Sequence, residues 1–442
     1  MSWWRAALLA GLLVGGLQTV APGVQGAEAA VVGTSPFGLS VEYPLMERAL
    51  GGGACPRPAL VATLRSLGSP TLRIGGDSQD LAGPTAAYHY AIPPTFWTAL
   101  GCLARESGVR VVVGLNFAEG PLADELTTIA AAERAIPSPQ LSFSLGNEPD
   151  LYGFSHILPN EPGFTVPAYR PSPWTAEQYA REWAARRARL GQIAIEGPDL
   201  AGIGWRARIA RLMATHPPDV MSVHAYPTVA CGSGAPATAA RLLSEHTSVG
   251  LVEKYGWLLA AARAAHRPAV ISESNSASCG GKRGVSDTPV AGVWAARYVV
   301  AALLAGFAQV RFHTAGTSYD ALALHADGTI AIRPLGHALL FLHRWIPLGS
   351  RISSPVPERG SSHDPRMLAA TVSEGTHTSV IVSSFAAKPM SFSVAVPGAK
   401  ARVHTDTLTT ASAIEAGASV AVRAHRARLV LAPNTVVALA TS

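Results

Sequence analysis

The chain is predicted to fold as a (β/α)8 barrel with an appended antiparallel β-sandwich, and three observations lead there. Short β-branched apolar runs alternate eight times with longer amphipathic segments between Phe37 and Trp345. Beyond Pro347 this gives way to short strand-like runs separated by Gly, Pro, Ser and Asn. The 442 residues, 48% hydrophobic and only 14% charged, suffice for one large core and a small second domain.

The first 29 residues are set aside as an export signal. Arg5 gives a positive start, Ala6 to Val20 is an apolar run too short to span a bilayer comfortably, and Ala27-Glu28-Ala29 has the small-x-small form of a cleavage site. The barrel is then assigned to 30–346 and the sandwich to 347–442, in a secreted or periplasmic protein. No cysteine near the cleavage site suggests a lipid anchor. In an oxidising compartment Cys55, Cys102, Cys231 and Cys279 can pair in three ways. Cys55–Cys102 and Cys231–Cys279 are the expected pairs because each joins neighbouring strand-helix units; four free thiols is the alternative.

In chain order, strands are expected at Phe37–Tyr43, Thr71–Ile74, Val109–Phe117, Leu141–Leu145, Ile193–Ile195, Val220–Tyr226, Ala269–Ser272 and Val310–Thr314. Helices are expected at Pro58–Leu67, Thr95–Glu106, Ala123–Ala135, from the cap Thr175 to about Leu190, and at Trp205–Ala214, Glu253–Ala265, Pro289–Gly306 and Pro334–Trp345. Pro289–Gly306 approaches the length of a membrane span, but Arg297 interrupts it and its place between two strands marks a buried core helix. Leu151 to Trp174 is a long loop rich in Pro, Gly and aromatics, expected to wall a cleft. The sandwich strands are expected at Leu368–Val372, Thr378–Ser383, Ser391–Val396, Ala401–His404, Ser419–Val422, Ala427–Leu431 and Val436–Ala440.

The net charge is +6, and only four of the 35 basic residues are lysine. Such a surface is compatible with an acidic substrate. Basic residues do not gather with aromatics on one helix, which argues against nucleic acid. No stable membrane association is expected after signal cleavage, and the chain is expected to be a monomer.

Two strand ends carry the chemistry. Leu141–Leu145 runs into Gly146-Asn147-Glu148-Pro149-Asp150, and Ala269-Val-Ile-Ser272 runs into Glu273-Ser-Asn-Ser276. The C-terminal ends of barrel strands are where this architecture keeps its catalytic groups. Two carboxylates on two strand ends is the minimum apparatus for cleaving a glycosidic bond. Each alone also reads as a polar turn closing a strand.

With Arg73-Ile-Gly-Gly-Asp-Ser-Gln-Asp80, Gly280-Gly281 and the strand of His313, these residues resemble glycoside hydrolase family 79, the heparanases and β-glucuronidases, over nearly the whole mature chain. The resemblance implies a barrel with an appended sandwich, Glu148 as general acid/base and Glu273 as nucleophile. Carboxylates at opposed strand ends sit roughly 5–5.5 Å apart in a retaining double displacement. Glu273 is then expected to be ionised and Glu148 protonated in the free enzyme. Asn147 is expected to bond the sugar 2-hydroxyl, or else to cap a turn. Tyr226 resembles the tyrosine that donates to the nucleophile, while His224 and His313 line the floor or serve as core residues. Gly75, Gly76 and Asp77 bring backbone and carboxylate towards the sugar, or simply allow a tight turn.

One departure stands out. The family often has a tyrosine before Gly-Gly in the loop after the nucleophile, holding the uronic acid carboxylate; here the stretch is Ala277-Ser278-Cys279-Gly280-Gly281. Backbone N–H groups of Gly280 and Gly281 can form an anion nest, with Lys282 or Arg283 adding charge. No cofactor is expected, and the carboxylates and histidines are not spaced as a metal site. The expected substrate is an acidic oligo- or polysaccharide cleaved by a retaining β-glucuronidase, in exo or endo mode. The alternatives are a related retaining glycosidase for a neutral sugar and a non-catalytic carbohydrate-binding barrel.

Overall fold

The computed structural model describes residues 29–158, 163–202, 204–354, 366–395, 402–411, 414–417, 419–423 and 426–441. The expected export signal, apart from Ala29, lies outside the described residues.

Eight parallel strands close a barrel in chain order: β1 Phe37–Glu42, β2 Thr71–Gly75, β3 Val111–Leu115, β4 Leu141–Leu145, β5 Ile195–Leu200, β6 Val220–Ala225, β7 Ala269–Ser274 and β8 Gln309–Thr314. The ring closes where β8 pairs with β1, from Val310 opposite Phe37 to Thr314 opposite Val41. Most residues of these strands are buried, polar ones included, and Val111–Leu115 reads as a continuous apolar run. The returning helices start and stop on local signals. Thr175 and Gln178 form a reciprocal capping box at the head of Ala176–Arg187, while Gly108 and Gly306, both left-handed, end Pro94–Ser107 and Pro289–Ala305.

Several boundaries differ from the sequence reading. β5 spans Ile195–Leu200, not Ile193–Ile195. Its Gly197-Pro198-Asp199 reads as a turn, yet all six residues are buried, and a Cβ at Gly197 would lie 2.6 Å from the Trp183 ring. The expected helix Glu253–Ala265 is two, Val249–Lys254 and Gly256–Ala264. A short helix, Tyr43–Leu50, follows β1 directly and was not foreseen. The long loop after β4 carries a small antiparallel pair, His156–Ile157 with Thr165–Val166.

The second domain is two packed sheets. Ala30–Val31, Arg351–Ser353, Met367–Glu374, His377–Ser384, Thr435–Thr441, Thr405–Thr409 and Ile414–Ala416 form one in that spatial order. Met390–Ala395, Arg426–Leu431, Val420–Arg423 and Arg402–Val403 form the other. The expected strand starting at Ala401 and the last residue of Ser391–Val396 lie partly outside the described residues. Ala30–Val31 pairs with Arg351–Ser353, so these residues extend the first of these sheets and do not belong to the barrel segment assigned from residue 30.

Period-two alternation explains how the first sheet holds both domains. Val380, Val382, Val437 and Leu439 pack towards Val394, Leu429 and Leu431 of the second sheet. Their neighbours Ile381, Val436 and Ala438 join the barrel core. Pro289–Ala305 lies between the two and is buried continuously from Ala291 to Leu303. Its one charge, Arg297, donates to Arg366 O at 2.9 Å, Ser383 Oγ at 3.1 Å and Ser248 Oγ at 3.2 Å, with its guanidinium 4.6 Å from the Phe385 ring centroid. Burial pulls its pKa down to about 10, so it remains a cation at neutral pH.

Arg297→Ala is therefore expected to destabilise the protein by at least about 2 kcal/mol, given about 1.5–3 kcal/mol for a hydrogen bond to a charged group. Urea unfolding followed by circular dichroism measures it. An unchanged midpoint would mean that this arginine contributes nothing net to joining the domains.

Candidate active site

Five of the eight barrel strands, or the first turns after them, converge on one buried guanidinium. Arg73 on β2 is fully buried. Its Nη1 donates to Glu273 Oε2 at 2.9 Å and Ser40 Oγ at 2.9 Å, and its Nη2 to Asn147 Oδ1 at 3.0 Å and Gln79 Oε1 at 3.1 Å. Asp199 Oδ2 lies 3.5 Å from Nη2.

Glu273 sits at 5% exposure with both oxygens held. Tyr226 donates to Oε1 at 2.9 Å; Ser40 donates to Oε2 at 3.3 Å, and His313 Nδ1 lies 3.3 Å from that oxygen. Burial alone would raise its pKa, but the charges of His313, His224 and Arg73 and the tyrosine bond outweigh it and hold the carboxyl down at about 2. Glu273 is a carboxylate throughout the neutral range. His313 is its counterpart: burial disfavours the imidazolium, but Glu273 and the bond to Glu42 raise its pKa to about 9. His313 Nε2 lies 3.2 Å from Glu42 Oε1.

Glu148 occupies a left-handed position, φ 48°, just past β4. The turn is pinned from both sides. Asn147 N–H donates to Asp80 Oδ2 at 2.9 Å, Glu148 N–H to Asp199 O at 3.0 Å, and Asp150 accepts from Ala201 and Gly202 N–H at 2.9 and 3.0 Å. The Glu148 side chain is 20% exposed, and its Oε1 lies 2.8 Å from His224 Nδ1, which is itself 3.9 Å from Glu273 Oε1. His224 is completely buried; desolvation opposes its charge, but Glu273 and Glu148 raise its pKa nonetheless. Ligand-capable atoms of Glu148, His224 and Glu273 all fall within 4.8 Å of one another, close enough to share one cation. Arg73 and His313 already place positive charge on Glu273.

Gly75 ends β2, and Gly76 and Asp77 open the turn after it. Gly76 has φ 69°, and a Cβ there would fall 2.4 Å from Glu42 Oε1 and 2.7 Å from His313 Cε1, so this position requires glycine. A Cβ on Gly75 would press on Gln79 and Arg73. Asp77 N–H donates to Glu42 Oε1 at 3.2 Å; burial first, then the charges of Glu42, Glu148 and Glu273, push its carboxyl well above the usual range. With Asn147, Glu148, Leu151 and His156 it lines a small pocket beside the carboxylate pair.

Gly280 and Gly281, both at φ 78°, lie in the loop after β7 and pack against the loop after β8. Gly280 O accepts from the N–H and hydroxyl of Ser318, and a Cβ on Gly281 would meet Ser318, Ser286 and Tyr319 within 3 Å. Cys231–Cys279 and the bonds of Ser278 to Thr228 and Ala230 fasten this loop to the one after β6. Cys55–Cys102 is the other disulfide. Lys282 and Arg283 are exposed, and among the described residues neither side chain bonds to the carboxylate pair.

Sequence reasoning passed over Ser40, Glu42, Arg73, Asp80, Asp199 and Tyr319 as individual site residues. Arg73 and Asp80 stood inside a quoted motif. Asp199, at φ 50°, lies beyond Ile195, the expected end of the fifth strand. Tyr319 stacks edge-on against His313 at 5.9 Å; after burial the charge of Glu273 is the strongest influence on its hydroxyl, and no local sequence signal marks it.

No protein-family model matches the chain. It is 28% identical to a β-glucuronidase of Aspergillus niger over 152 residues, which is 30% of this chain and 26% of that one. It is 23% identical to a β-glucuronidase of Neurospora crassa over 334 residues, 63% and 57% of the two chains. The chain thus spans less than two thirds of the curated relatives it matches. In structure it is similar to a 4-O-α-L-rhamnosyl-β-D-glucuronidase of Fusarium oxysporum, with TM-score 0.71, 20% identity and 93% and 96% of the two chains covered. It is also similar to a GH51 arabinofuranosidase of Xanthomonas axonopodis pv. citri, with TM-score 0.67, 14% identity and 94% and 97% covered. At these identities the two structures establish the shared fold: a (β/α)8 barrel with an added antiparallel sheet domain.

Two outcomes follow from this geometry. The stability that protonated His313 contributes is full below its ordinary value of 6.5 and is lost as pH rises through about 9. Urea unfolding of wild type and His313→Gln between pH 6 and 10 should show the difference between them shrinking across that window; a constant difference would contradict the assignment. Second, Cys231→Ser/Cys279→Ser should speed amide exchange in residues 277–284, read by mass spectrometry, while leaving β7 protected.

Proposed function

We propose that this chain is a glycoside hydrolase, a retaining β-glucuronidase of the family-79 kind that acts on glucuronide linkages of glycans. The observation that carries this reading is the carboxylate pair. Oxygens of Glu148 and Glu273 within 4.8 Å of each other suit direct attack, whereas an inverting pair stands about 6.5–9.5 Å apart to admit a water. The low identity to β-glucuronidases over part of the chain supports the sugar.

Glu273, held ionised, attacks the anomeric carbon. Glu148 protonates the departing oxygen and then deprotonates the water that releases the sugar, one residue serving as acid and base in turn. Arg73, Ser40 and Tyr226 hold the nucleophile's two oxygens before reaction, so little reorganisation is needed as its charge passes into the new bond. His224 steadies the acid/base carboxyl, and Asn147, fixed by Arg73 and Asp80, offers its amide N–H to the 2-hydroxyl. Asp77, Glu42 and His313 face the remaining hydroxyls. For the uronate carboxylate, the N–H groups of Gly280 and Gly281 and the Tyr319 hydroxyl take the place of the missing tyrosine. Lys282 is too exposed to be assigned a first contact. Two disulfides support the proposal that the protein is exported.

Hydrolysis of matched aryl β-glucuronide, galacturonide, glucoside and xyloside tests the substrate. Turnover confined to the glucuronide, with the β-anomer released first by NMR, is expected; turnover of the neutral glycosides instead would overturn the sugar assignment. Glu273→Gln should reduce turnover to near background with the fold intact. Glu148→Ala should lose about 10²–10⁴-fold on alkyl glucuronides but far less on nitrophenyl ones, whose leaving group needs little protonation, and azide should restore it with retained configuration. Equal losses on both substrates would contradict the acid/base role.

A further inference from the structure

A second cavity, of about 540 Å³, opens on the outer side of the barrel wall, between strands and helices and apart from the carboxylate pair. Its origin is a gap in the helical layer. Where one long helix would cover β1 and β2, this chain has two short ones, Tyr43–Leu50 and Pro58–Ser66, and the hairpin Leu322–Leu324/Ile330–Ile332 only partly closes the space. Leu39 and Leu72 of the strands, Leu60 and Leu64 of the second helix, and Leu322 and Ile330 of the hairpin make the walls apolar.

The charges around this cavity are positive. Arg48, Arg57 and Arg333 line it. The one carboxylate among the lining residues, Asp320, is engaged by the N–H groups of Ala315, Gly316 and Thr317. Arg333 is oriented by Thr317 O and Ser318 O at 2.6 and 2.9 Å, which leaves its charge unneutralised. Arg48 and Arg57 are exposed, and among the described residues neither has a hydrogen-bond or ion-pair partner. A site of this volume, with an apolar interior and guanidinium groups suited to bidentate contact, matches a ligand with an aliphatic body and a carboxylate head.

We infer that this cavity binds a long-chain fatty carboxylate, aliphatic chain against the leucine walls and carboxylate between Arg48 and Arg57. A sugar acid suits these terms poorly, because most of its hydroxyls would face the leucine side chains. The site is independent of the proposed glycosidase activity and uses none of its residues.

The test is calorimetric titration of the full protein with dodecanoate, kept below its micelle concentration. One saturable site is expected. Arg48→Gln/Arg57→Gln should weaken binding by about tenfold or more, and Ala49→Phe, which fills the cavity from helix Tyr43–Leu50, should weaken it without touching the arginines. Unchanged near-ultraviolet dichroism of both variants secures their folding. Absence of saturable binding to wild type, equal affinity in all three proteins, or displacement of dodecanoate by glucuronic acid would each overturn the inference, the last by placing the chain in the carboxylate cleft.

Discussion

The interaction on which the rest of the site depends is the burial of the Arg73 guanidinium inside the barrel. A cation with no solvent exposure costs several kcal/mol of hydration unless it is surrounded by matched acceptors. Those acceptors come from β1, β5 and β7 and from the turns after β2 and β4: Ser40, Asp199, Glu273, Gln79 and Asn147. Closing the barrel therefore assembles the site, since no two consecutive strands supply this set. The same cation stabilises ionised Glu273 and aligns Asn147 beside Glu148. Around it carboxylates and histidines alternate, Glu42–His313–Glu273–His224–Glu148, so that each charge is partly offset by its neighbours.

Much of this architecture was legible in the sequence. Seven of the barrel strands announce themselves in short runs of apolar and β-branched residues. β5 failed that test because Gly197 and Pro198 are turn residues by local preference; the ring of Trp183 and the need to present Asp199 override it. Glu148 and Glu273 were found because each ends a clear strand in a polar turn. Asp199 stayed hidden with its strand. Tyr319, Glu42 and Asp80 stayed hidden because their proximity to the carboxylates is made by closure of the barrel and leaves no spacing to read. Lys282 shows the converse: a basic residue beside a Gly-Gly pair in sequence, but exposed in the fold.

The second domain adds to the barrel mainly through one sheet buried on both faces. Its alternation sends Ile381 and Val436 to the barrel core and Val380 and Val437 to the sandwich. Pro289–Ala305 is apolar on every side for the same reason, being packed between two cores rather than against one. The helix leads straight into β8, whose end carries His313, so one short connection links the docked domain to the carboxylate cluster. The loops bearing Gly280 and Tyr319 are held instead by a disulfide, by backbone bonds and by close glycine packing.

The central claim is that Glu273, held as a carboxylate by Arg73 and His313, is the nucleophile of a retaining reaction. The most direct measurement is mass spectrometry of the protein after exposure to 2-deoxy-2-fluoro-β-glucuronyl fluoride, whose glycosyl-enzyme forms faster than it hydrolyses. The account predicts one fluoroglucuronyl adduct per chain, on the peptide bearing Glu273. An adduct on Glu148 or elsewhere, or an unmodified protein that still hydrolyses aryl glucuronide, would contradict it.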